Sequence, residues 1–399
     1  MNGVILRMQE PDRIVSIDIL RGFSILGILL VNMPSFHAPL LYIDPLAWWE
    51  DKHDQFWYIM TDIFAQASFY PLFAFLFGFG AFLSARKAER KGKSFPLLFS
   101  RRLFVLLLIG CIHAFFIWHG DILINYALFG FVFILFYRMS GTSLLIIGSG
   151  IYVIPFLLLA FLMWKSGLGE IGIPNDLEGA RQSMEAYRAG SFMEIVQQRF
   201  QDWYLVNNAA ASIFLFLSIF PLFLVGAGFA KIGILEKPLH YKKILMIILA
   251  ASLAAGLSLK LFPYYSSRNP LASFIQDQFG GPILSLFYLS SITLLIEKKR
   301  FYMLLKPFSS VGRLSMSNYL LQSVLGTFLF YSYGLGYYGN ISFSTGMMLA
   351  VVIFMIQMAA SRVWLQYFRM GPVEYLWRLF TYLEKPALGR IQGQPRGKS

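Results

Sequence analysis

Long apolar runs, separated by short polar segments, dominate the pattern along this chain. Ten of the runs are long enough to cross a bilayer as a helix, which requires roughly 20 mostly apolar residues. They fall at about 17–36, 62–84, 102–119, 122–138, 143–164, 209–230, 244–262, 281–296, 314–333 and 343–361. The pattern predicts an all-α polytopic membrane protein with about ten transmembrane helices.

Two longer polar segments set the organisation of the chain. The segment 165–208 separates the first five spans, within 17–164, from the last five, within 209–361. Its helix-like spacing predicts an amphipathic helix near the outer surface of the membrane. The segment 362–399 mixes aromatic and basic residues, which is typical of an interfacial tail. We therefore expect one membrane domain over 1–399, with the first five helices holding the site.

Composition and charge support this class. The 399 residues are 57% hydrophobic and only 14% charged, which excludes a water-soluble globule. The net charge is +13, and most basic residues fall in the segments that share a side with the N-terminus. The positive-inside rule then places both termini in the cytoplasm. Because the basic residues are spread over separate segments, nucleic-acid binding is not expected. The single cysteine, Cys111, excludes an intramolecular disulfide.

The first span carries charges that need a partner or a function. Asp18 and Arg21 are three residues apart, so they share a helix face and can pair. Asn32 returns to nearly the same face three turns later. Gly22 and Gly27 leave room for a neighbouring helix. Two interpretations remain open here: an ion pair that fixes packing, or a polar track that lines a cavity.

The third span contains the strongest candidate for chemistry. Arg102 and His113 share a face, with Arg102 at the cytoplasmic boundary and His113 in the outer half of the membrane. His113 either forms a hydrogen bond to a neighbouring helix or serves as a proton-transferring base, a role suited to a histidine near neutral pH. Asp121, after a very short turn, either caps the fourth span or orients a histidine.

Polar residues also occur in the second and ninth spans. Asp62 is predicted to lie in the first turn of the second span, where a helix N-terminus favours a carboxylate. In the ninth span, Asn318, Tyr319 and Gln322 form a polar stripe with Ser315. Such a stripe either joins two helices by hydrogen bonds or contacts a substrate.

Several segments resemble the YeiB-like family of bacterial inner-membrane proteins, a family of unknown function. They are DILRGFSILGILLVN, FAFLFGFGAF, RRLFVLLLIGCIHAFFIWHGDILINYALFG, GRLSMSNYLLQ and YFRMGPVEYLWRLFTY. These segments extend over nearly the whole chain. The family in turn resembles transmembrane acyltransferases, which include heparan-α-glucosaminide N-acetyltransferase. The resemblance implies an acyltransferase-like helical bundle in the bacterial cytoplasmic membrane.

The resemblance also implies individual site residues. Asp18, Arg21 and Gly22 match the acyltransferase motif D-x-x-R-G, and Asn32 falls where the acetyltransferase has an asparagine. In the acetyltransferase, a histidine lies a little before the aspartate that opens the second span. His53 and Asp62 stand in a similar relation here. His53 lies in a polar loop, so a solvated histidine is the competing interpretation.

The first functional hypothesis is acyl transfer across the membrane. Arg101 and Arg102 would bind the phosphates of a cytoplasmic acyl-CoA, and its thioester would pass Arg21. His113 or His53 would act as the base, helped by Asp121 or Asp18. The acceptor would be an external or lipid-linked glycan. The candidate substrate contacts are Asn32, Asn318, Tyr319 and Gln322.

The second hypothesis is proton-coupled transport, with Asp18 or His113 as the protonation site. A third is lipid or quinone handling between the aromatic-rich helices. The sequence has no P-loop, HExxH motif, Cys/His cluster or nucleophile elbow, so any chemistry is expected within the membrane, and no metal is expected. Membrane lipids are the expected partners, and self-association stays open.

Overall fold

The computed structural model describes residues 14–167, 175–266 and 268–389. Across these ranges the chain forms helices joined by short turns, and the described residues contain no β-sheet. Eight helical segments of the described chain are long and apolar enough to cross a membrane. The prediction of a helical, multi-pass membrane protein is therefore confirmed.

The helices are numbered in chain order. The first half of the chain contains α1 (Val15–His37), α2 (Pro45–Trp48), α3 (Lys52–Phe64), α4 (Phe69–Arg90), α5 (Phe95–Ile112), α6 (Leu123–Phe133), α7 (Gly141–Lys165) and α8 (Leu177–Ala189). The second half contains α9 (Phe192–Asn207), α10 (Ala209–Ile232), α11 (Lys242–Tyr265), α12 (Pro270–Ile275), α13 (Gly281–Leu295), α14 (Lys299–Arg313), α15 (Ser315–Phe330), α16 (Phe343–Tyr367) and α17 (Pro372–Tyr382).

Two helices continue into a π-helical turn. α5 runs into the turn His113–Ile117, where the Trp118 amide donates to the His113 carbonyl at 2.8 Å. α12 runs through the turn Gln276–Gly280 into α13. Single π turns inside helices frequently occur at functional sites.

Two of the ten predicted spans are short helices. α6 has 11 residues and α15 has 16, below the roughly 20 that a straight crossing requires. The apolar run at 122–138 is longer than α6 because the chain tightens into turns after Phe133, where the Phe136 amide donates to the Phe133 carbonyl. An apolar run alone does not distinguish a spanning helix from a shorter buried one.

The second predicted span is divided. α3 ends at Phe64, and a turn over 65–68, with Ala67 at φ 55°, leads into α4. Asp62 therefore lies in the last turn of α3, and its prediction as a carboxylate in the first turn of a spanning helix was wrong. Tyr288 and Lys260, from other helices, donate hydrogen bonds to the carbonyls of Phe64 and Gln66 at this break.

The polar segment 165–208 forms two helices, α8 and α9, where one was predicted. The break falls at Gly190 and Ser191, and the Ser191 side chain and Glu194 cap α9 reciprocally. Tyr187 and Arg199 are completely buried. These helices therefore pack onto the bundle and cover one of its ends. Residues 168–174 of the segment lie outside the described residues.

The other end of the bundle collects basic side chains, and we call it the basic end. Here Arg86 of α4 pairs with Glu236 at 3.0 Å, and Trp377 of α17 donates to the Arg102 carbonyl at 2.8 Å. α17 thus docks the tail against α5. Residues 1–13 and 390–399, which belong to the predicted cytoplasmic segments, lie outside the described residues.

Glycines allow two close helix contacts along α1. A Cβ at Gly22 would stand 2.0 Å from the Phe308 carbonyl oxygen, and one at Gly312 would stand 1.8 Å from that of Asp18. α1 and α14 therefore touch through their backbones. Gly27 lies directly against the ring of Phe69. The prediction that Gly22 and Gly27 leave room for neighbours is confirmed.

Candidate functional site

A buried histidine–aspartate pair joins the end of α5 to the start of α6. His113 Nδ1 lies 2.6 Å from Asp121 Oδ2, and both side chains are completely buried. The other carboxylate oxygen accepts the Ile124 amide at 2.8 Å. Asp121 therefore both caps α6 and orients His113. Because an ionised carboxylate only accepts hydrogen bonds, the imidazole proton lies on Nδ1.

The second ring nitrogen of His113 keeps its lone pair. Nε2 is buried and has no hydrogen-bond partner among the described residues. The ring of Tyr319 lies 5.1 Å from that of His113, and its hydroxyl donates to the Gly120 carbonyl at 3.2 Å. Tyr319 thus holds the turn that carries Asp121. The arrangement is that of an oriented base in an aromatic environment.

A second polar cluster lies beside this pair, under α8 and α9. Its centre is Asp202, which accepts hydrogen bonds from the Tyr42 hydroxyl, from Tyr187 at 2.6 Å and from Gln198 at 2.8 Å. His119 Nδ1 lies 3.7 Å from the same carboxylate. Asp202 was missed by sequence reasoning because QRFQDW has the composition of a surface helix.

Burial controls the charge in this cluster. It lowers the pKa of His119, an effect that the nearby Asp202 carboxylate opposes and Arg199 reinforces. Burial, together with Asp202, raises the pKa of Tyr42. Both side chains are therefore neutral at pH 7. A small void of about 10 Å³ adjoins the cluster, lined by Tyr42, His119, Ser183 and Asp202 among others.

Arg199 ties α9 to the π turn after α5. Its guanidinium donates to the Phe115 carbonyl at 3.1 Å, while Nε and the second terminal nitrogen have no hydrogen-bond partner in the described chain. A fully buried guanidinium with free donors is costly unless an anion or water satisfies it. No feature of the sequence around Arg199 indicated that this side chain would be buried.

Arginines gather at the basic end of the same helix α5. Arg102 donates to Ser84 Oγ at 3.2 Å and stacks 4.1 Å above the Trp377 ring. Arg21 and Arg378 lie close enough to act on its charge. The three form a cationic group between α1, α4, α5 and α17. Arg101, predicted to share this role, is exposed on another face of α5.

Asp18 belongs to this end too. It is buried, and its Oδ1 lies 3.9 Å from an Arg21 nitrogen. The predicted pairing of Asp18 with Arg21 is thus present. The structure gives His113 a different carboxylate, that of Asp121.

The polar stripe of α15 divides between two roles. Asn318 donates to Ser361 at 3.0 Å, and Gln322 donates to Gln357 at 2.9 Å. These bonds join α15 to α16, so both side chains are occupied in helix packing. Tyr319 alone of the three reaches His113. Asn32 is half-buried on α1.

His53 lies at the exposed start of α3, and its Nε2 accepts from Trp57 at 3.2 Å. Its ring is within 4.8 Å of ligand atoms of Asp51 and Asp54. Both carboxylates have structural partners: Asp51 caps α3, and Asp54 accepts the Ser344 amide at 2.9 Å. These surroundings are typical of a surface histidine.

A cavity of about 170 Å³ lies between α3, α11 and the π turn Gln276–Gly280. Asp62 lines it, and Lys260, fully buried, is 3.3 Å from Asp277 beside it. Lys260 falls within the predicted span 244–262, and it was not singled out there as a candidate. Its position inside the apolar stretch SLKLFPYY was the available signal.

A family match and three relatives place the chain among known proteins. A family model described as a protein of unknown function, DUF418, matches residues 229–384. The chain is 38% identical to the uncharacterized protein YxaH of Bacillus subtilis, over 93% of this chain and 95% of the relative. It is 28% identical to the uncharacterized protein YeiB of Escherichia coli, over 93% and 96% respectively. A 39.9 kDa protein of Bacillus acidopullulyticus is 29% identical over 94% and 95%.

Proposed function

Because this chain belongs to the YeiB-like family of membrane proteins (DUF418), we propose a function from its own site: transfer of an acyl group from cytoplasmic acyl-CoA to an acceptor at the outer side of the bacterial inner membrane. The acceptor class is a hydroxyl or amine of an external or lipid-linked glycan. The observation that carries the proposal is the buried His113–Asp121 pair, in which Nε2 has no hydrogen-bond partner among the described residues.

The proposed step is direct transfer. His113 Nε2 removes the proton from the acceptor O–H or N–H, and that oxygen or nitrogen attacks the thioester carbonyl carbon. The new bond to carbon forms as the carbon–sulfur bond breaks. The CoA sulfur leaves with the electron pair and takes the proton from Nε2. Asp121 holds the ring and stabilises the transient imidazolium.

The arginines of the basic end support the donor side of the proposal. Arg21, Arg102 and Arg378 offer guanidinium groups suited to phosphate oxygens. Arg102 and His113 lie on one continuous helical segment, separated axially by about 16 Å. A donor anchored at the arginines would extend its thioester along α5 towards the histidine. The basic end would then face the cytoplasm.

Donor binding tests the first half of the proposal. We expect saturable acetyl-CoA binding by calorimetry on the protein in nanodiscs. Arg102→Gln should weaken it at least tenfold, because it removes a charge from the cationic group. Arg138→Gln, at an exposed position of the same end, is the matched control and should bind as the parent does. Absence of binding at millimolar acetyl-CoA would contradict the proposal.

Transfer of label from acetyl-CoA to a glycan acceptor tests the second half. His113→Gln should bind acetyl-CoA normally and lose transfer, whereas His240→Gln, at an exposed turn, should keep both. Equal transfer by both variants would exclude His113 as the base. Solute flux in proteoliposomes that follows a pH gradient and leaves CoA unconsumed would favour proton-coupled transport instead.

A further inference from the structure

The cavity beside Asp62 is surrounded by several charged side chains. Two ion pairs surround it: Lys260 Nζ with Asp277 Oδ1 at 3.3 Å, and Arg268 with Asp44 Oδ1 at 2.7 Å. Each of these carboxylates thus has its own cation. The fifth charge, Asp62, has none among these groups, so the cavity has an excess of one negative charge.

Asp62 presents one oxygen to the cavity. The Tyr264 hydroxyl and the Gln276 amide both donate to Oδ2, each at 2.6 Å. In the described part of the chain, no donor reaches Oδ1. The residue is only 8% exposed and lines the cavity. A carboxylate oxygen that faces a cavity, with no donor from the described residues and no counter-charge of its own, favours a cation there.

The shape of the cavity narrows the class of cation. Its volume of about 170 Å³ is far more than a bare metal ion fills, and roughly that of six molecules of liquid water. Part of the wall is apolar, formed by Val31, Leu40, Pro263 and Phe343. This apolar part suits the hydrocarbon portion of an organic cation, and the rest of the lining is polar, including Thr61, Gln66 and Gln276.

We propose that this cavity binds a small organic ammonium ion. The charged nitrogen would donate to Asp62 Oδ1, and a short apolar body would lie against Leu40 and Phe343. The cavity combines an apolar patch with placed polar groups, and small-molecule sites use polar groups in this way to orient a ligand. The proposed site is separate from His113 and does not rest on acyl transfer.

A pair of isosteric probes tests the charge requirement without altering the protein. We expect n-butylammonium to bind saturably to the protein in nanodiscs by calorimetry, and 1-butanol to bind at least tenfold more weakly. Nanodiscs without protein correct for partition into lipid. Equal affinity of the two probes, or no saturable binding of n-butylammonium, would overturn the proposal.

Variants then locate the site. Asp62→Asn should weaken n-butylammonium binding at least tenfold, while Asp51→Asn, on the same helix, should not change it. Asparagine is as good an N-cap as aspartate, so the control preserves α3. Ser273→Phe, which fills the cavity and leaves Asp62 in place, should also abolish binding. Unchanged binding in Asp62→Asn and Ser273→Phe would refute the assignment.

Discussion

Asp121 serves two groups with its two oxygens. Oδ1 accepts the Ile124 amide at the start of α6, and Oδ2 fixes the imidazole of His113. A single side chain therefore couples the start of a helix to the protonation state of a buried base. Substitutions at this residue separate the two roles, because some replacements preserve only the cap.

Asp121→Asn should retain the fold and lose function. The Asn oxygen can cap α6, while its amide N–H₂ would face His113 Nδ1 and force that nitrogen to accept. The ring proton would then lie on Nε2, which could no longer act as a base. We expect acyl transfer to fall about 100-fold or more. An unchanged rate would contradict the assigned tautomer.

Asp121→Ala supplies the comparison. It removes both contacts, so it should also lower the stability of the protein by about 0.5–2 kcal/mol through the lost cap. The measurement is the apparent Tm in detergent of the two variants side by side. Equal Tm values would mean that the hydrogen bond to Ile124 contributes nothing.

His119 predicts a pH dependence of stability. Burial lowers its folded pKa below the ordinary value of 6.5, so below that pH the unfolded chain binds the proton more readily than the folded one. Stability is therefore present above pH 6.5 and is lost as the pH falls towards the folded pKa. The apparent Tm between pH 7.5 and 5.5 measures this loss.

His119→Gln is the matched variant for the pH experiment. It removes the titrating group and keeps a polar side chain beside Asp202. Its Tm should depend less on pH over the same interval than that of the parent. An identical slope would assign the effect to other groups.

At the scale of helices, the close contact of α1 with α14 depends on two glycines. The backbone of α14 occupies the space where a side chain at Gly22 would stand. Next to Gly22 along α1 lies Arg21, one of the arginines of the basic end. The helix contact thus positions a residue of the proposed donor site.

Gly22→Ala should destabilise the protein by about 1–3 kcal/mol, the usual cost of inserting a methyl group into a packed interface. Gly150→Ala on α7, where no atom of the described chain lies within 4 Å of the added Cβ, is the control. There the better helix propensity of alanine should leave stability unchanged or slightly higher. Both are measured as apparent Tm. Similar losses in the two variants would exclude the close contact as the cause.

The helices could be predicted from the sequence, because the length of an apolar run can be read from neighbouring residues alone. The face shared by Arg102 and His113, and the space at Gly22, followed from helical spacing. The turn after α3 did not, because the side chains of Tyr288 and Lys260 that satisfy its carbonyls come from distant helices. Asp202 was missed for the same reason. It is buried by α8, α9 and the 38–42 segment, and such burial depends on tertiary packing that the local sequence does not show.

At the scale of the whole molecule, the two ends differ in construction. The basic end carries arginines beside α17, and the opposite end is covered by α8 and α9. Acyl transfer in the proposed direction requires the basic end to face the cytoplasm. The orientation therefore decides whether the donor can reach its side of the bundle.

Labelling with a membrane-impermeant maleimide measures the orientation. In a Cys111→Ala background, Leu177→Cys on α8 should be labelled in intact cells, because the residue is exposed and the proposed orientation places it on the outer side. Lys91→Cys, at the exposed turn after α4, should be labelled only after lysis. The reverse pattern would invert the topology and exclude a cytoplasmic donor at the arginines.

The π turn after His113 has a consequence for how such proteins diverge. A π turn holds one residue more than the α-helical turn it replaces, so it is equivalent to the insertion of a single codon. Deleting one residue within 114–117 would restore α-helical winding and rotate the following segment by about 100°. Trp118 and the approach to Asp121 would then turn away from His113. One deleted codon could thus remodel this site in a step that no point substitution reproduces.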